Sequence, residues 1–167
     1  MNQYLHTFLS IHNILRWAVI IATMAATVLS LMNMQSKQPF AKRTRLASLF
    51  ALISCDLQLL AGLAIYYLGG HVLMLKKGGA MANHYSRFFA LEHPLSMLIG
   101  IILVHFAYNT VKGHLGDAKK LKRVFWASFV ALFLFVSQTP WPSKRDISRP
   151  WWPASATEAS ADTVVHD

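Results

Sequence analysis

The chain has few charged residues and a single cysteine. Charged residues make up 14% of its 167 positions, only seven of them acidic, and Cys55 is the one cysteine. A lone cysteine excludes a disulfide framework and a metal site built on cysteines. So low a charge content, beside 54% hydrophobic residues, is too apolar for an ordinary soluble domain. The sequence also lacks an internal repeat, a GxxxG motif, a phosphate-binding glycine motif and a nucleophile-elbow motif.

Four apolar stretches dominate what is present. They cover residues 11–32, 46–68, 91–111 and 124–138, with an extension of the last over 139–142. A helix needs roughly 17–25 apolar residues to cross a hydrocarbon core about 30 Å thick. Only helices and closed barrels span bilayers, and no strand-like alternation occurs. We therefore predict an all-α integral membrane protein: one four-helix up-down-up-down bundle in residues 1–142, then an interfacial segment and polar tail in residues 143–167.

The positions of the basic residues indicate an orientation. The net charge is +9, and Lys and Arg cluster in residues 37–45 and 112–123, the first and third connections. Short connections rich in Lys and Arg stay in the cytoplasm, so we expect both termini outside. Basic residues at a membrane surface also contact anionic lipid heads. Lipids, rather than nucleic acid, are therefore the expected partners of this charge.

The segment after the fourth stretch is rich in tryptophan. Trp141, Trp151 and Trp152 suit the boundary between lipid and water. We expect them to lie along the outer interface or against a neighbouring subunit. The small polar residues that follow are typical of a tail that stays disordered unless a partner holds it.

Two histidines open the first and third stretches on the same side. In an up-down bundle His12 and His93 face each other diagonally across the core. Imidazoles from diagonal helices at one depth can bind a b-type haem on both faces of its iron. Gly62 and Gly100, roughly 10 Å further in by helix rise, would leave room for the flat macrocycle.

Charged residues near these histidines extend the hypothesis. Arg16 or Arg87 could pair with haem propionates, and Glu92 could orient an imidazole. A purely structural interpretation stands beside it. Histidines at the ends of membrane spans also form caps and hydrogen bonds, and glycines allow helices to pack closely.

A second polar layer lies deeper in the predicted bundle. Asp56 and His105 are each about 18 Å from the outer end by helix rise. A carboxylate in a membrane normally faces the bundle interior and finds a partner, so we expect these two to pair inside it. Gln58, Thr23 and Thr27 are further candidate partners. Such a pair could relay protons or adjoin a redox centre, or it could only fix helix register.

Four segments together resemble a known family. They are HNILRW, DLQLLAGLAIYY, RFFALEHPLSMLIG and TPWPSKRDISRPWW, of which the EHP triplet and the PWP are the most specific. The combination resembles small bacterial four-helix membrane proteins labelled cytochrome-b-like, over most of residues 5–152. The resemblance implies a bacterial cytoplasmic membrane and directs attention to His12, Arg16, Gln58, Glu92 and His93. Some family members carry a histidine where this chain has Asp56, so a second haem is not expected.

The expected function is that of a membrane b-type cytochrome or cytochrome-like subunit. It would pass electrons between a membrane quinone and a partner protein. Two alternatives stay open. One is a non-catalytic accessory subunit of a larger membrane complex, and the other is a small proton-coupled transporter that uses Asp56 and His105.

Overall fold

All regular elements are helices in residues 3–153, the part of the chain that the computed structural model describes. Four helices are long and two are short. In chain order they are α1 (Gln3–Gln35), α2 (Lys42–Leu68), α3 (His71–Lys76), α4 (His84–Arg87), α5 (His93–Lys112) and α6 (Asp117–Ser137). A 3₁₀ turn (Gly79–Met81) precedes α4, and a π-helical turn (Phe88–Glu92) joins α4 to α5. The all-α class is confirmed, and the final residues of the predicted polar tail lie outside this described part.

Three helical segments are long and apolar enough to cross a membrane. They are Gln3–Gln35, Lys42–Leu68 and His84–Lys112. Helix α6 is not among them, because Lys119, Lys120, Lys122 and Arg123 occupy its first turns. Three of the four predicted spans are thus supported by length and composition.

Each long helix packs against two others. Helix α1 contacts α2 and α6, and α5 contacts the same two helices, with α2 and α5 making the loosest of these four contacts. At one end of the helices Asn33 donates to the Thr44 hydroxyl at 3.1 Å. At the other, His93 contacts the carbonyl of Gln138. We call the second the histidine end and the first the basic end.

Small and medium-sized residues fill the space between the helices, and large apolar residues face outward. One buried cluster consists of Val19, Ala51, Cys55, Ile101, Val104, Ala131 and Phe135. The outward faces expose Leu60, Leu63 and Phe133, each by more than half. Small residues let helix backbones approach closely, so Cys55, with no exposed surface, serves as a small packing residue.

The third apolar stretch becomes helical earlier than predicted, at His84. Pro94 therefore follows a turn of helix instead of starting one. Because proline has no N–H, the carbonyl of Ala90 loses its intrahelical partner. The Tyr66 hydroxyl of α2 donates to that carbonyl at 2.6 Å. The π-helical turn lies just before Pro94, the kind of local adjustment by which a helix accommodates a disrupted bond.

Candidate functional site

The structure brings His12 and His93 together at the histidine end. Their ring centres are 6.4 Å apart, and the ring planes make an angle of 72°. Both side chains are partly buried. The ring of Phe88 also lies 5.6 Å from that of His93. Residues 81 positions apart in sequence (93 − 12) thus share one aromatic cluster.

A backbone carbonyl fixes the orientation of His93. Its Nδ1 lies 2.9 Å from the carbonyl oxygen of Gln138. A carbonyl oxygen can only accept, so Nδ1 carries the hydrogen and the neutral ring keeps its lone pair on Nε2. Histidines that bind metals are commonly oriented by such a bond at the other nitrogen. His93 is therefore held with Nε2 as its potential ligand atom.

The same bond belongs to a complete set of caps at the end of α6. The carbonyls that end a helix have no intrahelical partners. Side chains donate to three of them: Thr139 to Phe135, Trp141 to Val136 and Lys144 to Ser137, at 2.6, 2.7 and 2.6 Å. His93 donates to the next, so it has a structural role whether or not it binds a cofactor.

His12 lies against a glycine and has an unsatisfied ring nitrogen. A Cβ added at Gly62 would be 3.3 Å from Cε1 of His12. Within the described part of the chain, Nδ1 of His12 and Oε1 of Gln58 are buried without a hydrogen-bond partner. The backbone of Gln58 also faces the His12 ring. Buried polar atoms nearly always have partners, and these two are among six such exceptions in the described residues, with Asn13 Oδ1 and Arg16 Nε also on α1.

The space expected beside Gly100 is filled. A Cβ at Gly100 would clash with Cε1 of Phe135 and lie 3.0 Å from its Cζ. Gly100 therefore allows α5 and α6 to approach, and it leaves no room for a macrocycle. Gly62 likewise accommodates the ring of His12 itself. This corrects the expectation that the two glycines bound an open gap.

Arg16 holds the C-terminal segment. Its guanidinium donates to the carbonyls of Pro150 and Trp151 at 3.2 and 2.7 Å. It also lies 5.4 Å from the ring centres of both Trp17 and Trp141. Both bonds start from Nη2, whereas Nε is buried without a hydrogen-bond partner among the described residues, so the pairing of Arg16 with a propionate stays a prediction. The tryptophans predicted to lie at an interface pack onto α1 of their own chain.

Glu92 pairs with Arg87 and does not orient an imidazole. Arg87 Nε and Glu92 Oε1 are 2.6 Å apart, and both side chains are about 40% exposed. The carbonyl of Gln138 takes the role expected of Glu92. Beside this pair lies a cavity of about 360 Å³ that Lys144 also lines. Burial lowers the pKa of Lys144.

His71, the first residue of α3, belongs to a second aromatic group. Its ring centre is 5.7 Å from that of Tyr66 and 6.2 Å from that of Phe89. The guanidinium of Arg149 lies 4.9 Å from the Phe89 ring centre. Burial, and then the charge of Arg149, lower the pKa of His71. The segment around Pro150 is thus attached both to α1 and to the chain before α5.

Asp56 and His105 are in contact, but not inside the group of helices. His105 Nε2 lies 3.2 Å from Asp56 Oδ1, and its Nδ1 lies 3.0 Å from the carbonyl of Ile101. The two side chains are 49% and 44% exposed, so the pair faces outward where α2 meets α5. This corrects their expected interior position. Gln58 lies near His12 instead, and an outward-facing pair does not line a path through the protein.

Comparison with protein-family profiles, curated proteins and solved structures finds no match to this chain. Among the residues that the structure describes, no group of three or more His, Cys, Asp and Glu side chains could hold a metal ion. The functional assignment therefore depends on the geometry at the histidine end.

Proposed function

We propose that this chain is an integral protein of a bacterial cytoplasmic membrane, in which α1, α2, α5 and α6 form an up-down-up-down bundle. Three of its helical segments have the length and composition of membrane spans. Large apolar side chains face outward and small ones fill the interior. That distribution is favourable in lipid and costly in water. These observations support the proposal.

Helix α6 would be the fourth span although its apolar part is short. Residues 124–138 rise about 22 Å as a helix, less than a full hydrocarbon core. However, α6 ends beside His93, where α5 begins, and packs along both α1 and α5. A helix that runs beside a span over this distance crosses with it. Lysine and arginine side chains at its start can extend to the lipid headgroups.

Within this bundle we propose a b-type haem held by His12 and His93, in keeping with the resemblance to proteins labelled cytochrome-b-like. The distance between the two rings carries this proposal. Two imidazole nitrogens that bind one iron from opposite sides would be about 4 Å apart, twice a metal–nitrogen bond of about 2 Å. Because each nitrogen is about 1 Å from the centre of its own ring, the two imidazole ring centres would be roughly 6 Å apart. The observed separation is 6.4 Å.

The residues around the pair define what this chain would contribute. Gln138 orients His93, and Gly62 gives the His12 ring its place against α2. A bound haem would supply one-electron chemistry, and the protein would exchange those electrons with a membrane quinone and a partner protein. Arg16 and Arg87 are engaged elsewhere, so no propionate contact is assigned to them. Because Phe135 covers Gly100, the macrocycle would have to lie away from that glycine.

A second candidate function is that of an accessory subunit without a cofactor. The capping of α6 by His93 favours it, since this bond explains the position of one histidine by packing alone. The separation of the His12 and His93 rings favours the haem site instead.

Haem content and the reduced-minus-oxidised absorption spectrum of purified protein distinguish these functions. We expect a bis-histidine b-type band in the native chain, and its loss in His12→Ala and His93→Ala with protein yield maintained. His93→Gln is the sharper variant, because an amide can still donate towards Gln138 but does not ligate iron. His114→Ala, on the exposed connection before α6, should keep the native spectrum. A native protein without haem, or an unchanged spectrum in both His12 and His93 variants, overturns the haem proposal.

A further inference from the structure

A pair of polar side chains in mutual contact faces outward near the middle of the proposed bundle. Asp56 lies 14 residues from Lys42 and 12 from Leu68, the two ends of α2. By helix rise it is about 21 and 18 Å from them. His105 of α5 shares this depth, since the two side chains are in contact. The side chains are about half exposed, and in a membrane that exposure is to hydrocarbon.

Hydrogen bonding defines the electrical character of the pair. Both ring nitrogens of His105 face oxygen atoms, the carbonyl of Ile101 and the carboxyl of Asp56. The carboxyl is therefore the electronegative member of the pair and the imidazole the electropositive one. Together they form a dipole that lies across the helices, in the plane of the proposed membrane. Lipid tails cannot solvate such a dipole, which makes an uncovered pair costly.

The surface around the pair is apolar on both helices. Ile53 and Leu60 flank Asp56 on α2, and Leu98 and Ile102 flank His105 on α5, with exposures between 44% and 65%. These positions are three to seven residues from the polar groups and therefore share their helix faces. A polar contact within an apolar surface is the arrangement that joins membrane helices, where side-chain hydrogen bonds and close packing replace the hydrophobic effect.

We propose that this α2–α5 face binds a second copy of the chain about a two-fold axis along the membrane normal. In the second copy, such an axis keeps every residue at its depth in the membrane and reverses every direction that lies in the membrane plane. The Asp56–His105 dipoles of the two copies are therefore antiparallel, and Asp56 of each copy lies opposite His105 of the other. Charge complementarity follows from symmetry alone. A different protein would need an opposing dipole at the same depth by coincidence.

This proposal rests on membrane insertion, proposed above, and not on haem binding. Its first test is crosslinking in lipid vesicles at low protein-to-lipid ratio, in a Cys55→Ala background. A short bismaleimide should join copies that carry Ile102→Cys or Leu60→Cys. Two controls on α6, at another face, bracket these exposures: Val130→Cys at 42% and Phe133→Cys at 65%, against 57% for Ile102 and 65% for Leu60. We expect a strong crosslink at the first two positions and a background level at both controls.

Variants of the pair test the electrostatic argument. Asp56→Asn should weaken dimerisation about tenfold, within the range of interhelical hydrogen bonds in membranes. The exchange Asp56→His with His105→Asp reverses the dipole but keeps the pair, so that variant should dimerise with itself. Mixed with the native chain it would present parallel dipoles. Co-expression of two tagged chains should then give fewer mixed dimers than random pairing does.

The possible outcomes separate the two proposals. A protein released from membranes by alkaline carbonate would overturn insertion and, with it, this interface. An inserted protein that stays monomeric, crosslinks equally at the two α6 controls, or pairs at random with the exchanged variant overturns the interface alone. Crosslinking that appears only when another protein or a lipid-soluble hydroxyl compound is added assigns the face to that partner and overturns the second copy.

Discussion

At the residue scale, helix carbonyls without a backbone donor explain two side-chain hydrogen bonds at the histidine end. Pro94 removes the donor to Ala90, and the hydroxyl of Tyr66 replaces it. The carbonyl of Val136 belongs to the last turn of α6, where no intrahelical donor follows, and the indole of Trp141 donates to it. In both cases a carbonyl that would be costly to bury unpaired binds a side chain. For Ala90 the sequence contains this signal, since the carbonyl four residues before a proline in a helix needs a new donor.

Depth in the helices could be predicted from the sequence, but the direction of each side chain could not. Counting helix rise correctly predicted that Asp56 and His105 lie at the same depth and contact each other. The same count could not show that the pair faces outward, because direction depends on how each helix is rotated against its neighbours. Arg16 and Glu92 likewise bind groups that no spacing predicts. Arg16 contacts backbone carbonyls at the far end of the described chain, and Glu92 contacts Arg87 through the helical turn before α5.

Gly100→Ala tests the close approach of α5 and α6. The added methyl group would clash with the ring of Phe135, which is buried in the core. We expect a loss of about 1–3 kcal/mol in unfolding free energy, the usual cost of overpacking. Unfolding in mixed detergent micelles measures it. In a Phe135→Leu background, Gly100→Ala should lower the unfolding free energy by less than it does in the native chain. Strictly additive effects would show that the two residues do not touch.

At the element scale, the tail and α6 form one unit with the start of α1. The segment after α6 caps its carbonyls, and then Pro150 and Trp151 bind Arg16. The indole of Trp17 donates to the carbonyl of Trp151 at 3.1 Å, and the two rings stack with centres 6.0 Å apart. The tryptophan content predicted that this segment lies at an amphipathic boundary, but not that its tryptophans pack against α1. Their position on α1 depends on the buried Arg16, whose partners are the backbone carbonyls of Pro150 and Trp151.

Helix ends were the least predictable part of each element. Hydropathy placed the first span at residues 11–32, while α1 runs over Gln3–Gln35. A helix continues through polar residues once its backbone hydrogen bonds are established. Hydropathy predicts only the part of a helix that would lie in the hydrocarbon core, so it does not give the ends of the helix. The helical turns from His84 to Glu92, which precede α5, have the same cause.

Arg16→Gln should release the tail while the helices stay folded. Hydrogen bonds from a charged donor contribute about 1.5–3 kcal/mol, enough to raise amide exchange in the docked segment roughly tenfold or more. Deuterium uptake of peptides covering residues 139–153 measures the change. Arg43→Gln, exposed at the basic end, is the control and should leave that uptake unaltered. Equal uptake in the Arg16 variant and the native chain would mean that the other contacts, those of Trp17 and of Arg149 with Tyr85, hold the tail without Arg16.

At the scale of the whole molecule, the two ends differ in their basic residues. The first and third connections and the start of α6 bring nine of the sixteen Lys and Arg to the basic end. The other seven lie on the side of the histidine pair, the α6 caps and the tryptophans. If the basic end is cytoplasmic, the candidate haem site lies near the outer surface. Its electron partner would then be a protein or a quinone that reaches that side.

Reporter fusions test this orientation and the number of spans together. The basic connections predict cytoplasmic reporters after Lys42 and Gly116, and outer reporters after Gly78 and Pro153. The position after Pro153 is decisive, because α6 is the helix whose composition alone does not mark it as a span. If α6 crosses beside α5, that reporter lies opposite the one after Gly116. The same side at both positions would leave three spans and place Gln138 and the tail with the basic end. That arrangement is incompatible with the bond between Gln138 and His93, so it would refute the packing of α6 as well as the topology.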